Sequence, residues 1–371
     1  MSKLSLLALG LASATLAACG AQPNASATKE HWNAINDPSI FDASYVLNLD
    51  SLPTSGELKV TPWSDTYWPS YQGGVAARWK ADETGFDYAL ASQTQLAAMS
   101  AADVARLSPA EKYDILVSRY EYPLVSYERK RTAPTRPSWE GLCHGWSPAA
   151  LAYTEPKAVL MTNAQGIQIP FGSSDVKALL TIWLGQFANA KSKMLGARCN
   201  ADFGSNPGAA TSPECRDTNA GAFHIVIANE IGRLGRGFVA DVTRDAEVWN
   251  QPVHGFTSRI VGMQAPSPGA AAGTVKEAIV ETSMLYSVEI EPTWTAVVGT
   301  NGQANTQKSY KYTLELDASG NIIGGEWLTD ARPDFLWQEE TPAFSGYFQK
   351  LGDLYNAAAS SVGIKDPTVG G

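Results

Sequence analysis

Cys143 stands within Trp139-Glu140-Gly141-Leu142-Cys143-His144-Gly145-Trp146-Ser147-Pro148-Ala149-Ala150-Leu151, between glycines and aromatics at the mouth of an expected helix. A helix N-terminus offers free N–H groups and the positive end of the macrodipole, which lower a thiol's pKa and can donate to an oxyanion. Ser147-Pro148 could itself be the cap and first position, so Cys143 belongs at the helix start or one turn before it. A thiolate nucleophile needs an imidazole to take its proton and return it to the leaving group, and a third group to orient that imidazole. Of the four histidines, His31 falls in a tether-like segment and His144 adjoins the nucleophile, where neighbouring side chains diverge. His224-Ile225-Val226-Ile227-Ala228 reads as a strand that turns back through Gly237 into Phe238-Val239-Ala240-Asp241-Val242. Across such a hairpin His224 and Asp241 could meet as base and orienting carboxylate, with Asp245 and Asn229 in reserve. The competing readings are a buried inert Cys143, a core His224, and an Asp241 that caps a turn or pairs with Arg233 or Arg236. Trp139 and Trp146 are the nearest residues that could line a substrate channel, and core packing is the alternative for both.

The other cysteines fit a chain exported from the cytoplasm. Met1-Ser2-Lys3 and the apolar run from Leu4 to Ala18 read as a signal peptide over 1–18. Leu16-Ala17-Ala18-Cys19 has the form of a bacterial lipobox, which makes Cys19 the expected lipidated N-terminus and the cell envelope the expected location. Gly20, where an acidic residue would retain the protein at the inner membrane, favours the outer membrane. Residues 19–40 form a flexible Ala/Asn/Ser-rich tether, and 41–371 a single catalytic domain. Cys199 and Cys215 flank a Gly/Asn/Pro/Ser-rich segment, and a disulfide there would close a loop of about 15 residues, contributing about 3 kcal/mol. Cys143 is then the odd thiol.

The net charge of −9, or −10 once Lys3 is removed (−9 − 1), comes without a basic cluster, which argues against a nucleic-acid partner. Two cysteines with one histidine make no zinc spacing. Asp317-Ala318-Ser319-Gly320-Asn321 lacks the later glutamate of a calcium loop and reads as a turn. Neither a metal nor a cofactor is therefore expected.

Around these residues the patterns place an α+β framework. Ser108-Pro109-Ala110-Glu111 has an N-cap serine, proline at N1 and glutamate at N3, which starts a helix through Tyr113 and Leu116. Asp175 to Ala190 is apolar all round, suited to a buried helix. Ser309 to Leu316 alternates polar and apolar, turns at Asp317–Asn321, and returns from Ile322 to Trp327 as a hairpin. From Pro62 to Trp79, tryptophans and tyrosines crowd among glycines and prolines, as in an ordered layer rich in loops. The expected architecture is a helix bearing the nucleophile packed on an antiparallel sheet.

Residue patterns alone leave two enzyme chemistries open, acyl transfer from a side-chain amide and hydrolysis of a backbone amide by a cysteine peptidase or amidase. A non-catalytic envelope-binding lipoprotein is the third reading. Val248-Trp249-Asn250-Gln251-Pro252-Val253-His254-Gly255-Phe256 resembles the signature of the transglutaminase elicitor family, which has arginine where this chain has His254. Pro62-Trp63, Tyr67-Trp68-Pro69, the Cys143 motif, Asp175 to Leu180, Gly320 to Trp327 and Arg332-Pro333-Asp334-Phe335-Leu336-Trp337 resemble the same family. The resemblance implies a calcium-independent transglutaminase with a fold related to papain-like cysteine proteases. It places the nucleophile at Cys143, the acid–base pair at His224 and Asp241, and a surface segment at Val248–Phe256. Its implied partners are protein glutamine donors and lysine or small-amine acceptors, with the membrane met only through the lipid anchor.

Overall fold

The computed structural model describes residues 32–81, 86–202, 205–206, 208, 217–244 and 246–369. The signal peptide, Cys19, His31, Cys215 and Asp245 lie outside the described residues. The helices are α1 (Gln93–Ala98), α2 (Ala101–Ala105), α3 (Pro109–Leu116), α4 (Pro123–Arg131), α5 (Cys143–Ala152), α6 (Ser173–Ile182), α7 (Ala220–Ile227) and α8 (Gln349–Ser360). The strands are β1 (Ser55–Glu57), β2 (Val159–Thr162), β3 (Gln168–Phe171), β4 (Ser192–Gly196), β5 (Phe238–Asp241), β6 (Asn250–Gln264), β7 (Lys276–Ser287), β8 (Asn305–Leu316), β9 (Ile322–Trp327) and β10 (Phe335–Glu339).

An antiparallel sheet runs in the order β4-β10-β5-β6-β7-β8-β9, and β1 pairs with β6 beyond the end of β5; β2 and β3 form a separate pair. Successive residues of a strand point to opposite faces, and β5 shows which layer covers each. Phe238 and Ala240 enter a core with Phe223, Ile227, Tyr310 and Tyr312, whereas Val239 packs with Trp337 and Leu151. Helix α7 therefore covers one face and α5 the other. The helix bearing Cys143 does pack on an antiparallel sheet, as expected.

A second core joins α3 to α6 and α8 to the aromatic stretch that follows β1, with Trp63, Trp68 and Trp146 fully or almost fully buried. Ser108 and Glu111 make the reciprocal capping box that starts α3. Helix α6 is buried at every position and passes into a π-turn over Trp183–Phe187. Gly145 sets the crossing of α5 and α6: a Cβ there would lie 2.1 Å from the carbonyl oxygen of Thr181. The β8–β9 hairpin forms where the alternation places it, and Asp317 Oδ1 accepts the N–H groups of Ser319 and Asn321 across the turn.

The run beginning at His224 is the element that differs. It lies inside helix α7, and the expected hairpin with β5 does not form. Asn219 caps α7 by accepting the N–H groups of Gly221 and Ala222, and every residue from Ala220 to Ile227 is buried. An apolar run buried all round carries no periodicity to separate helix from strand, so its β-branched residues pointed the wrong way. β5 pairs instead with β6 and β10. Among the described residues no helix is long and apolar enough to cross a membrane.

Candidate active site

Cys143 is the first residue of α5, and Pro148 sits inside the helix, which settles the uncertainty over its start. At the first helical positions, the N–H groups of Cys143 and His144 have no intrahelical acceptor. Leu142, just before, donates its N–H to the Tyr67 carbonyl at 2.6 Å. Gly141 allows that approach, since a Cβ there would lie 2.6 Å from the Tyr67 oxygen and ring. Cys143 is the free cysteine among the described residues and is 5% exposed.

The thiol faces the start of β6. Its Sγ donates to the Val248 carbonyl at 3.5 Å, and Asn250 Nδ2 donates to Sγ at 3.6 Å. The orientation of the Asn250 amide follows from its other contact. The indole N–H of Trp337 can only donate, and it donates to Asn250 Oδ1 at 2.8 Å, so Nδ2 must face the sulfur. Ser147, one turn into α5, fixes the same residue through its hydroxyl on the Asn250 carbonyl at 2.6 Å. Burial pushes the Cys143 thiol up to about 11; the donors of Asn250 oppose this, while the charges of Glu289 and Asp241 add to it.

Asp241 ends β5 directly opposite Asn250. Its Oδ1 accepts from Thr243 N at 3.1 Å, Thr243 Oγ1 at 2.8 Å and Trp249 N at 3.0 Å, and so closes the turn that brings Val248 over the thiol. Its Oδ2 is buried without a partner among the described residues. Burial pushes this carboxyl up to about 6, with the bonds from Thr243 and Trp249 pulling the other way. Neither expected arginine pairs with it: Arg233 bonds Asn229 and Arg236 pairs with Glu230.

Cys143 and Asp241 both meet the Val248–Asn250 segment, whereas His224 is bonded elsewhere. His224 Nδ1 shares a hydrogen bond of 2.8 Å with the Tyr312 hydroxyl, which in turn meets Thr282 Oγ1 at 2.6 Å. Burial lowers its imidazole to about 4. His144 turns toward Gly185 and Gln186, away from the thiol. His254 is buried in β6, where burial lowers its imidazole and Glu57 and Asn305 oppose this.

Trp146 is fully buried, its indole on the Trp63 carbonyl at 3.3 Å; it is core and lines no channel. Trp139 is half-buried, with the Arg198 guanidinium 5.9 Å from its ring centroid. The expected surface segment is also corrected: Asn250, Gln251, Pro252, Val253, Gly255 and Phe256 are buried, and only Val248 and Trp249 are partly open. These residues form an inner strand with neighbours on both sides, so the motif builds the site. Asn250, Ser147, Trp337 and Tyr67 stand in the family-like segments, but no reading of the sequence assigned them these roles; Asn250 was within reach, being the cross-strand partner of a suspected aspartate.

Cys199 is buried and donates its N–H to Asp334 Oδ2 at 2.7 Å. Among the described residues no group of three or more His, Cys, Asp or Glu has the geometry to hold a metal.

A family model described as Transglutaminase elicitor matches residues 37–111 and 126–356. The fold is similar to the crystal structure of the GP42 transglutaminase from Phytophthora sojae, with a TM-score of 0.66 and 25% identity over 90% of this chain and 99% of that one. No curated protein sequence matches the chain.

Proposed function

Because the chain belongs to the transglutaminase elicitor family, we propose that it is a protein-glutamine γ-glutamyltransferase acting through a thioester on Cys143. The observation that carries this reading is a free thiol at a helix N-terminus, held by an oriented Asn250 donor whose cross-strand partner is the buried Asp241. Cys143 attacks the side-chain amide carbon of a glutamine. The developing oxyanion is met by Asn250 Nδ2 and the free N–H groups at the start of α5. Asp241 takes the thiol proton once the Sγ–H has left the Val248 carbonyl, and returns it to the departing ammonia. A lysine or small amine then attacks the thioester to give an isopeptide or substituted amide, whereas water gives glutamate.

A rival assignment makes His224 the base; it requires the ring to leave Tyr312 and reach the site. Export, anchoring through Cys19 and a Cys199–Cys215 bridge complete the proposal. The bridge is supported by Cys143 being the free cysteine among the described residues. The test is mass spectrometry of a glutamine-containing protein incubated with a labelled primary amine, with and without chelator, for wild type and Cys143→Ala. Calcium-independent labelling lost in the variant supports the proposal; Cys143-dependent backbone cleavage would move the protein to the peptidases.

A further inference from the structure

The thioester needs an amine that arrives protonated, and the fold has a place to receive it. Beyond β7 the chain continues extended, Val288 donating its N–H to Ala304 at 3.0 Å and Ile290 to Asp65 at 3.2 Å. Glu289 between them turns toward β6, and its charge reaches Cys143 and Tyr67. Gln251, the residue after Asn250, donates through Nε2 to Glu289 Oε1 at 2.8 Å. Its own Oε1 has no partner among the described residues although Gln251 is 3% exposed. An orphaned buried acceptor beside a carboxylate calls for a group that only donates, and an ammonium, with three N–H bonds, is such a group.

A separate groove of about 760 Å³ is lined among others by Tyr67, Tyr71, Trp79, Phe86, Lys80 and Glu291. Tyr67 joins it to the site, since its carbonyl holds Leu142 N and its ring meets Trp249 edge-on at 5.3 Å. Lys80 is paired with Asp366 at 2.5 Å, which leaves exposed Glu291 as the lining charge without an ion pair among the described residues. Aromatic walls with a carboxylate favour a cationic alkyl chain over an anionic or neutral one.

Resting on the acyl-transfer reading above, we propose that Gln251 and Glu289 form the subsite for the acceptor amine, a lysine side chain or other primary alkylammonium entering along this groove. Glu289 takes one proton from the ammonium. The freed lone pair attacks the thioester carbon, the C–N bond forms, the C–S bond breaks with its electrons on sulfur, and the nitrogen's surplus proton returns to the thiolate. Glu289 then releases its proton to water.

The experiment follows ammonia release from a glutamine peptide alone, and incorporation of dansylcadaverine, in the full-length protein. Glu289→Gln should raise the KM for the amine at least tenfold while the KM for the peptide moves less than threefold, and should shift product from amide toward glutamate. Glu289→Asp should recover part of the loss. Glu291→Gln, at the exposed mouth and outside the Gln251 contact, should raise the amine KM about threefold. Parallel changes in both KM values, or no change in either, would overturn the subsite. Absence of Cys143-dependent ammonia release from the wild type would instead sink the acyl-transfer reading, and the subsite with it.

Discussion

Asp241→Asn keeps the shape of the side chain and removes its charge, so it separates what the carboxylate does for stability from what it does for chemistry. Folding raises this carboxyl from 3.8 to about 6, chiefly by burial. At 1.36 kcal/mol per tenfold, that corresponds to about 3 kcal/mol at most. A raised carboxyl means that the folded state holds its proton longer, so below pH 4 the residue carries no such penalty. As pH climbs from 4 to 6 the folded protein must ionise a buried group, and the penalty is complete above 6. The amide never ionises. The stability of the variant relative to wild type should therefore move in the variant's favour by as much as about 3 kcal/mol between pH 4 and pH 7.5. Burial of an amide N–H where Oδ2 lies costs about 1–3 kcal/mol, but that cost is independent of pH. Amine incorporation should fall by about 10²–10⁴, the usual worth of a positioned proton donor and acceptor. Urea denaturation at the two pH values, beside the incorporation assay, measures both. A pH-independent stability difference, or activity within threefold of wild type, would refute the reasoning.

Asn250→Ala should lower kcat about 10²–10³, as removal of an oxyanion donor does, and it should cost stability because the Trp337 indole N–H is left unpaired; steady-state kinetics and thermal melting check the two effects. His224→Gln should leave incorporation within threefold of wild type and change stability by no more than about 1.5 kcal/mol through the altered contact with Tyr312. A hundredfold loss would instead favour His224 as the base. With its thiol raised to about 11, Cys143 should be alkylated by iodoacetamide tenfold faster per pH unit across pH 7–10, as mass spectrometry of its peptide reads; a plateau below pH 8 would show an activated thiolate. Peptide mapping of the exported protein without reductant should find Cys199 linked to Cys215, and two alkylated free peptides would contradict the bridge.

What the sequence made legible followed from local rules. The capping box of α3, the β8–β9 hairpin with its Asp317 turn, and the placement of Cys143 at a helix mouth each depend on residues within a few positions of one another. Asp241 was reached through an expected hairpin with His224 that does not form, although it does end a strand. His224 misled because an all-buried run of Ile and Val looks alike as helix or strand, and the wrong element then created a false hairpin partner. Asn250 went unassigned because its meaning is cross-strand and tertiary. Only the register with β5, the indole of Trp337 and the hydroxyl of Ser147 turn its amide onto the sulfur. Trp146 shows the reverse error, since an aromatic beside a nucleophile in sequence points into the core once α5 has wound.

The measurement that tests the central claim most directly is the mass of the enzyme quenched in acid during turnover of a glutamine peptide, without added amine. The account predicts a covalent adduct of the peptide mass less ammonia, located by digestion at Cys143, discharged by dansylcadaverine and missing in Cys143→Ala. Ammonia release without any adduct at Cys143, or an adduct formed from a backbone-cleaved fragment, would contradict it.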